Sequence, residues 1–179
     1  MIREARYCIW LQFYIFMDDE TGLAVVDLLI QAARRQVAVY LLADGYASQR
    51  LSKATISTLQ NAGVQFKWFE PLFKSRKFYF GRRMHHKLVV TDGLYAMAGG
   101  INISNRYNDM PGTAAWMDMA LYCEGSEVQK MLQVCQQLWG RDQIYNWQDQ
   151  VNQLIQKKSA AGVQQVRVRR NDWVKRKNQ

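Results

Sequence analysis

The stretch MHHKLVVTDGLYAMAGGIN, residues 84–102, holds the only two histidines of the chain, adjacent to each other and followed at once by a lysine. The run KLVVT is short and rich in β-branched residues, so it reads as a strand. Asp92-Gly93 suits a two-residue hairpin turn, and YAMAG reads as the returning strand. If 85–91 is extended, side chains alternate between faces. His85 and Lys87 then share a face while His86 points away, so His85 can act with Lys87 and His86 reads as a packing or surface residue.

Outward from this hairpin, strand and helix signals alternate. CIWLQFYIF (8–16) is apolar and aromatic, as an interior strand should be. LAVVDLLIQAARR (23–35) has apolar residues at helical spacing. VAVYLLADG (37–45) is a second strand, LSKATISTLQNAG (51–63) a helix ending on a glycine, and VQFKWFE (64–70) a third strand. WMDMALYCE (116–124) alternates as a strand does. SEVQKMLQVCQQLWGRD (126–142) is a helix with Ser126 at its N-cap. Residues 146–162 predict a helix followed by a linker, and VQQVRVRRND one further strand. The expected class is α/β, a mixed, largely parallel β-sheet flanked by helices.

The chain has 179 residues, enough for one domain with a real core, and 49% are hydrophobic. Its net charge of +9 is concentrated in two places. Lys74, Arg76, Lys77, Arg82, Arg83 and Lys87 form an acid-free block that leads into the histidines, with Arg82 and Arg83 as candidate substrate contacts. Lys157, Lys158, Arg167, Arg169, Arg170, Lys175, Arg176 and Lys177 form a second block, opposed only by Asp172. Such blocks favour phosphate-bearing partners; a solvated basic face is the plainer reading of the tail. Cys8, Cys123 and Cys135 are odd in number and lack C-x-x-C spacing, which argues against a disulfide framework or zinc site and for a reducing compartment. The expected chemistry uses no metal or other cofactor. No run approaches the ~18 apolar residues of a membrane span, and MIREARY lacks the form of a signal peptide.

A histidine beside a lysine, with an amide close by, suits attack on a phosphodiester. Imidazole is the nucleophile or the acid, and the ammonium and amide neutralise charge building on phosphoryl oxygens. GGIN supplies that amide, Asn102, while Gly99 and Gly100 let backbone approach a phosphate closely. With His85, Lys87, Asp92, Gly99 and Gly100 in place, HHKLVVTDGLYAMAGG has the H-x-K-x4-D-x6-G-G form and resembles the phospholipase D superfamily. YIFMDDETG, LLADGYAS, NAGVQFKWFEP and FGRRMHHK resemble the N-terminal lobe of bacterial cardiolipin synthases. The resemblance implies group transfer through a phosphohistidine, with one histidine attacking phosphorus and a second, from another lobe, protonating the leaving alcohol. It makes His85 one of these two. Lys87 and Asn102 become phosphate ligands, Ser104 a further candidate for the same pocket, and Asp118 the carboxylate that orients the imidazole. Asp92 belongs to the motif, but its place at the turn suggests that it fixes backbone.

One motif is half of such a site. Either two copies pair, or the chain is the first lobe of a two-lobed enzyme, which the ends of the sequence favour: 1–145 a phospholipase D-like catalytic lobe, 146–179 a basic linker and the start of a second. The expected activity is phosphatidyl transfer of the cardiolipin synthase type on phosphatidylglycerol-like anionic lipid, at the bacterial cell membrane, peripheral and on the reducing side. The aromatic residues Phe73, Phe78, Tyr79 and Phe80 among the basic ones suit a lipid surface. They also suit single-stranded nucleic acid, so a dimeric metal-independent nuclease is the alternative.

Overall fold

The computed structural model describes residues 1–71, 83–140, 166–169, 171–172 and 177–178. Six strands form one sheet: β1 (Cys8–Phe13), β2 (Ala38–Asp44), β3 (Gln65–Phe69), β4 (Lys87–Thr91), β5 (Tyr95–Gly99) and β6 (Ala120–Glu124), in the spatial order β3-β2-β1-β4-β5-β6. Helices α1 (Glu20–Arg34) and α2 (Lys53–Asn61) form crossovers between the parallel strands, and α3 (Glu127–Trp139) follows β6. Two-residue strands β7 (Asn171–Asp172) and β8 (Lys177–Asn178) pair with each other.

The sheet is mixed and helix-flanked, as expected, but less parallel than the sequence reading had it. Only β1–β2 and β2–β3 are parallel; β1–β4, β4–β5 and β5–β6 are antiparallel. The cause is the hairpin: β4 enters against β1, and the tight turn and the β6 return propagate that direction to the edge. At the turn Asp92 (φ 55) and Gly93 (φ 64) both take positive φ and Leu94 N–H donates to Thr91 O at 3.1 Å, so three residues connect the register partners Thr91 and Tyr95.

The sheet divides two cores. Ile9, Leu11, Val39 and Leu41 pack with Val26, Leu29 and Leu59 of α1 and α2 on one face. On the other, Cys8, Trp10, Tyr40 and Val90 pack with Val128, Leu132, Cys135 and Trp139 of α3. Trp10 stacks on Tyr40 with centroids 4.0 Å apart, and Trp139 meets Trp10 edge-on at 6.1 Å. The three thiols are free and buried. Burial on both faces explains why β1 and β2 read as nearly continuous apolar runs, with Gln12 inside the first and Asp44 ending the second.

Several boundaries move for local reasons. Helix α1 starts earlier than its apolar spacing suggested because Asp19 caps it, its carboxylate accepting from Gly22 N–H at 3.0 Å. Ser52 caps α2 by accepting from Thr55 N–H at 3.1 Å. Ser126 occupies the N-cap position of α3 but makes no capping bond, because its own backbone is already helical (φ −62, ψ −31). Strand β6 begins only at Ala120, leaving 116–119 outside it. The strand expected over VQQVRVRRND is not formed at 166–169, where Val168 N–H instead donates to Glu127 at 3.1 Å. The helix and linker anticipated at 146–162 and the basic block up to Arg82 lie outside the described residues.

Asp92 is buried, and its carboxylate accepts three backbone N–H groups just ahead of and at the start of β1: Arg6 at 2.9 Å, Tyr7 at 2.7 Å and Cys8 at 2.9 Å. Asp92→Ala should cost about 2–4 kcal/mol, since charged-group hydrogen bonds are lost and their donors stranded. Equilibrium denaturation in urea measures it.

Candidate active site

Tyr14 lies one residue beyond the end of β1, and its ring is the platform on which the histidine motif rests. The imidazole of His85 stacks on it with centroids 4.2 Å apart and planes 19° from parallel. The ammonium of Lys87 lies over the same ring, 5.2 Å from its centre. Tyr14 N–H donates to His86 O at 3.0 Å, so the β1–β4 ladder continues one step past both strands. His85 is solvent-exposed and lies ahead of β4. Lys87, the first residue of β4, donates from Nζ to His85 O at 2.9 Å. His85 and Lys87 are thereby held together on one aromatic surface.

His86 is turned to a different partner. Gln12 Nε2 donates to Cys135 O at 3.2 Å, which fixes the amide, and Gln12 Oε1 then faces His86 Nδ1 at 2.9 Å. An oxygen there accepts, so Nδ1 carries the proton. Gln12 and Leu88 are register partners whose neighbours belong to the α3 core, which places His86 towards α3.

Partial burial holds the Lys87 ammonium below the ordinary 10.5, and the charge of Asp118 pulls it partly back. Asp118 is exposed, and its Oδ1 accepts from Met119 N–H at 2.8 Å. Where the resemblance implied a contact between Asp118 and the imidazole, His85 is held instead by ring stacking. The physical reason is that residues 116–119 stay outside β6 and Asp118 bonds to its own backbone. The two glycines serve this approach: a β-carbon at Gly100 would overlap the Asp118 carboxylate, and one at Gly99 would overlap Met119 O and Ala120.

Asn102 is buried, with Oδ1 accepting from Ile15 N–H at 3.0 Å and Nδ2 donating to Tyr107 Oη at 2.9 Å. It therefore sits at the same end of β1 as Tyr14, with one amide hydrogen beyond the bond to Tyr107. The Asn102 segment is pinned further by Ile103 N–H to Ile15 O at 3.1 Å and Met17 N–H to Ile103 O at 3.1 Å. Ser104 is buried nearby in sequence, its hydroxyl without a hydrogen-bond partner. Asp92 does not join this group: it lies at the opposite end of β4, about 16 Å away at strand rise. Arg83 is turned inward, donating to Glu70 O at 3.0 Å and pairing with Asp44 at 3.7 Å. Arg82 lies outside the described residues.

The sequence reading missed Asp44 and Tyr14. Asp44, fully buried at the end of β2, accepts from Tyr46 N–H at 3.0 Å, Ala47 N–H at 3.1 Å and Met84 N–H at 3.0 Å. It anchors the residue directly before His85. Ser48 completes the floor, donating to Tyr14 O at 2.8 Å and accepting from Phe16 N–H at 3.0 Å. An acid ending an otherwise apolar strand was the available signal, since a buried carboxylate needs several donors. Among the described residues no cluster of His, Cys, Asp and Glu is arranged to hold a metal ion.

The family described as "Cardiolipin synthase, PLD-like domain" matches residues 1–139. Cardiolipin synthase B of Shigella flexneri is 38% identical over 135 residues, which is 74% of this chain and 32% of that protein. A cardiolipin synthase of Halalkalibacterium halodurans is 33% identical over 145 residues, 79% of this chain and 28% of that protein. The chain thus spans less than a third of the first of these relatives and of the second. In fold it is similar to Nuc of Salmonella typhimurium, a phospholipase D family member, with a TM-score of 0.57 and 17% identity, covering 80% of this chain and 85% of that one.

Lysine Cε chemical shifts followed against pH should show Lys87 titrating below 10.5. Asp118→Asn should lower the midpoint further, because the carboxylate favours the charged ammonium. An unchanged midpoint would remove Asp118 from the Lys87 environment.

Proposed function

The chain belongs to the cardiolipin synthase, PLD-like domain family, and on that premise we propose that it supplies half of a phosphatidyltransferase active site. The observation that carries this reading is the shared seat of His85 and Lys87 on Tyr14. An exposed imidazole beside a fixed ammonium suits a phosphodiester: the ring meets phosphorus or the leaving oxygen, and the cation stabilises the charged phosphoryl oxygens. Asn102 offers its remaining amide hydrogen and Asp118 tunes the charge of Lys87. Gly99 and Gly100 keep the approach open. Ser104, Arg82 and Arg83 are candidates for the rim of the same pocket, Arg83 once released from Asp44.

The reaction uses two imidazoles. One displaces the first alcohol and holds the phosphatidyl group as a P–N bond; the other protonates that alcohol and then deprotonates the incoming one. His86 is a poor second imidazole, because it is held towards α3 by Gln12. The second ring therefore comes from another lobe of the same parent protein or from a second copy. The substrates in this reading are anionic phospholipids such as phosphatidylglycerol, met at a membrane surface. No helix among the described residues is long and apolar enough to cross a membrane. Residues 146–179, on this reading, lead into the second lobe.

The purified chain, incubated in chelator with phosphatidylglycerol vesicles and separately with single-stranded DNA, should transfer or hydrolyse lipid only when sedimentation shows it paired. His85→Ala should lower that turnover by roughly 10³-fold or more. DNA cleavage without lipid turnover would replace the reading by that of a nuclease, and full turnover by a strict monomer would remove the need for a second imidazole.

A further inference from the structure

A cavity of about 700 Å³ lies at the far end of β4 from His85, where the chain ahead of β1 meets the β4–β5 hairpin. Thr91, Tyr95 and Glu124 are successive register partners across β4, β5 and β6, so their side chains stand in a row on one face. Tyr122, two residues before Glu124, shares that face, and its ring lies 6.3 Å from that of Tyr95, 16° from parallel. These four side chains form the floor of the cavity, while Glu4, Arg6 and Tyr7 stand in its wall. The volume lies within the ordinary range for a small-molecule site.

Two observations bear on what the cavity takes. The Thr91 hydroxyl belongs to a side chain that is 1% exposed, and it makes no hydrogen bond among the described residues. A buried hydroxyl ordinarily has a partner, so this one lacks a group that the protein does not supply. The second observation is charge. Tyr122 Oη donates to Glu124 at 2.8 Å. Burial, that bond and the negative charge of Glu124, Tyr95 and Glu4 push the Tyr122 phenol up to about 12. The floor is thus locally negative in a chain whose net charge is +9. Asp92 also lines the cavity, but its carboxylate is taken up by three backbone N–H groups. Arg6 and the Met1 ammonium, 3.6 Å from Glu4, offset charge in the wall.

We infer that this cavity binds a short aliphatic diamine or polyamine, with one ammonium at the Glu124 carboxylate beside the Tyr95 and Tyr122 rings and another donating to the Thr91 hydroxyl. A carboxylate and tyrosine rings together favour an organic cation, by charge-assisted hydrogen bonding and by attraction to the ring faces. Neighbouring strands are ~4.8 Å apart, so the row from Thr91 to Glu124 is about 10 Å long, which suits two amines on one aliphatic chain. A bare metal ion is a poorer occupant, because no group of His, Cys, Asp and Glu among the described residues could hold one. An alkylammonium also supplies what Thr91 lacks, an N–H directed at its oxygen. The inference is independent of the phosphodiester reading, whose residues lie at the other end of β4.

The test is a titration of the 179-residue chain with putrescine at physiological ionic strength, followed by amide and tyrosine-ring chemical shifts. 1,4-Butanediol, of the same length but uncharged, is the control. Putrescine should shift the resonances of Thr91, Tyr95, Tyr122 and Glu124 saturably, and butanediol should leave them in place. The positive net charge of the chain repels cations in general, so saturable shifts confined to this cavity report a local site. Glu124→Gln, at an exposed position, should weaken binding at least about fivefold, since a charge-assisted bond is lost. Thr91→Val, which replaces an unpartnered hydroxyl by a methyl group, should weaken it about threefold or more. Shifts that never saturate, or that spread over the other surface acids, overturn the inference. So does equal binding of butanediol, and so does a putrescine affinity that both variants leave unchanged. If Glu124→Gln weakens binding and Thr91→Val does not, the two-ended seating is overturned. Lipid or phosphodiester turnover plays no part in this readout, so its outcome and that of the His85 site are separable.

Discussion

The register between β1 and β4 is the constraint on which the rest depends. A slip of one residue would carry His85 and Lys87 to the α3 face and bring His86 round in their place. The sheet alone does not forbid this, because both faces of the pair are apolar. Asp92 forbids it. Its carboxylate receives three consecutive N–H groups at the start of β1, so a slip would strand a buried anion and its donors together. The fixed interval between His85 and Asp92 is therefore a structural length, the span of one strand from reactive end to anchored end. The positive φ of Asp92 and Gly93 defines the turn that follows.

At the reactive end, positioning falls to groups other than His85 and Lys87. Asp44 ties down Met84, Ser48 ties down Tyr14 and Phe16, Asn102 ties down Ile15, and Asp19 receives Asn105 N–H at 2.7 Å. Each is a side chain clasping backbone, and each joins segments far apart in sequence. A site made from strand ends needs this, because the ladder that fixes a strand stops where the functional residues begin. Burying the Asp44 carboxylate is tolerable because three N–H groups and the Arg83 guanidinium face it.

Much of the architecture was legible in the sequence because periodicity reports burial. The nearly continuous apolar runs of β1 and β2, the helical spacing of α1 and α3, and the Asp92-Gly93 turn each express one local rule. What was not legible depended on distant partners. Nothing local says that Tyr14 will lie under His85, since the contact requires the β1–β4 register. The shortness of β6 is similar. WMDMALYCE alternates well enough to be a strand, yet the ladder ends where Met119 O accepts from Gly100 N–H at 2.8 Å, and Asp118 turns to the Met119 N–H beside Gly100. The antiparallel half of the sheet also escaped pattern reading, because strand direction is set by connections and not by composition.

The charge balance around Lys87 links this geometry to chemistry. Its ammonium is partly desolvated, and what it has in exchange is one carbonyl, one aromatic face and a carboxylate acting at longer range. None of these neutralises it as closely as a bound anion would. A phosphodiester arriving at His85 would complete a site built under-compensated, converting the cost of partial burial into selectivity for an anion. The same argument explains why Asp118 stands off. A carboxylate in full contact would pair with the lysine, whereas one held by Met119 N–H favours the charged ammonium from further off. In the proposed reading, Asp118 favours the charge of Lys87 without pairing with it, which leaves the ammonium open to a phosphate.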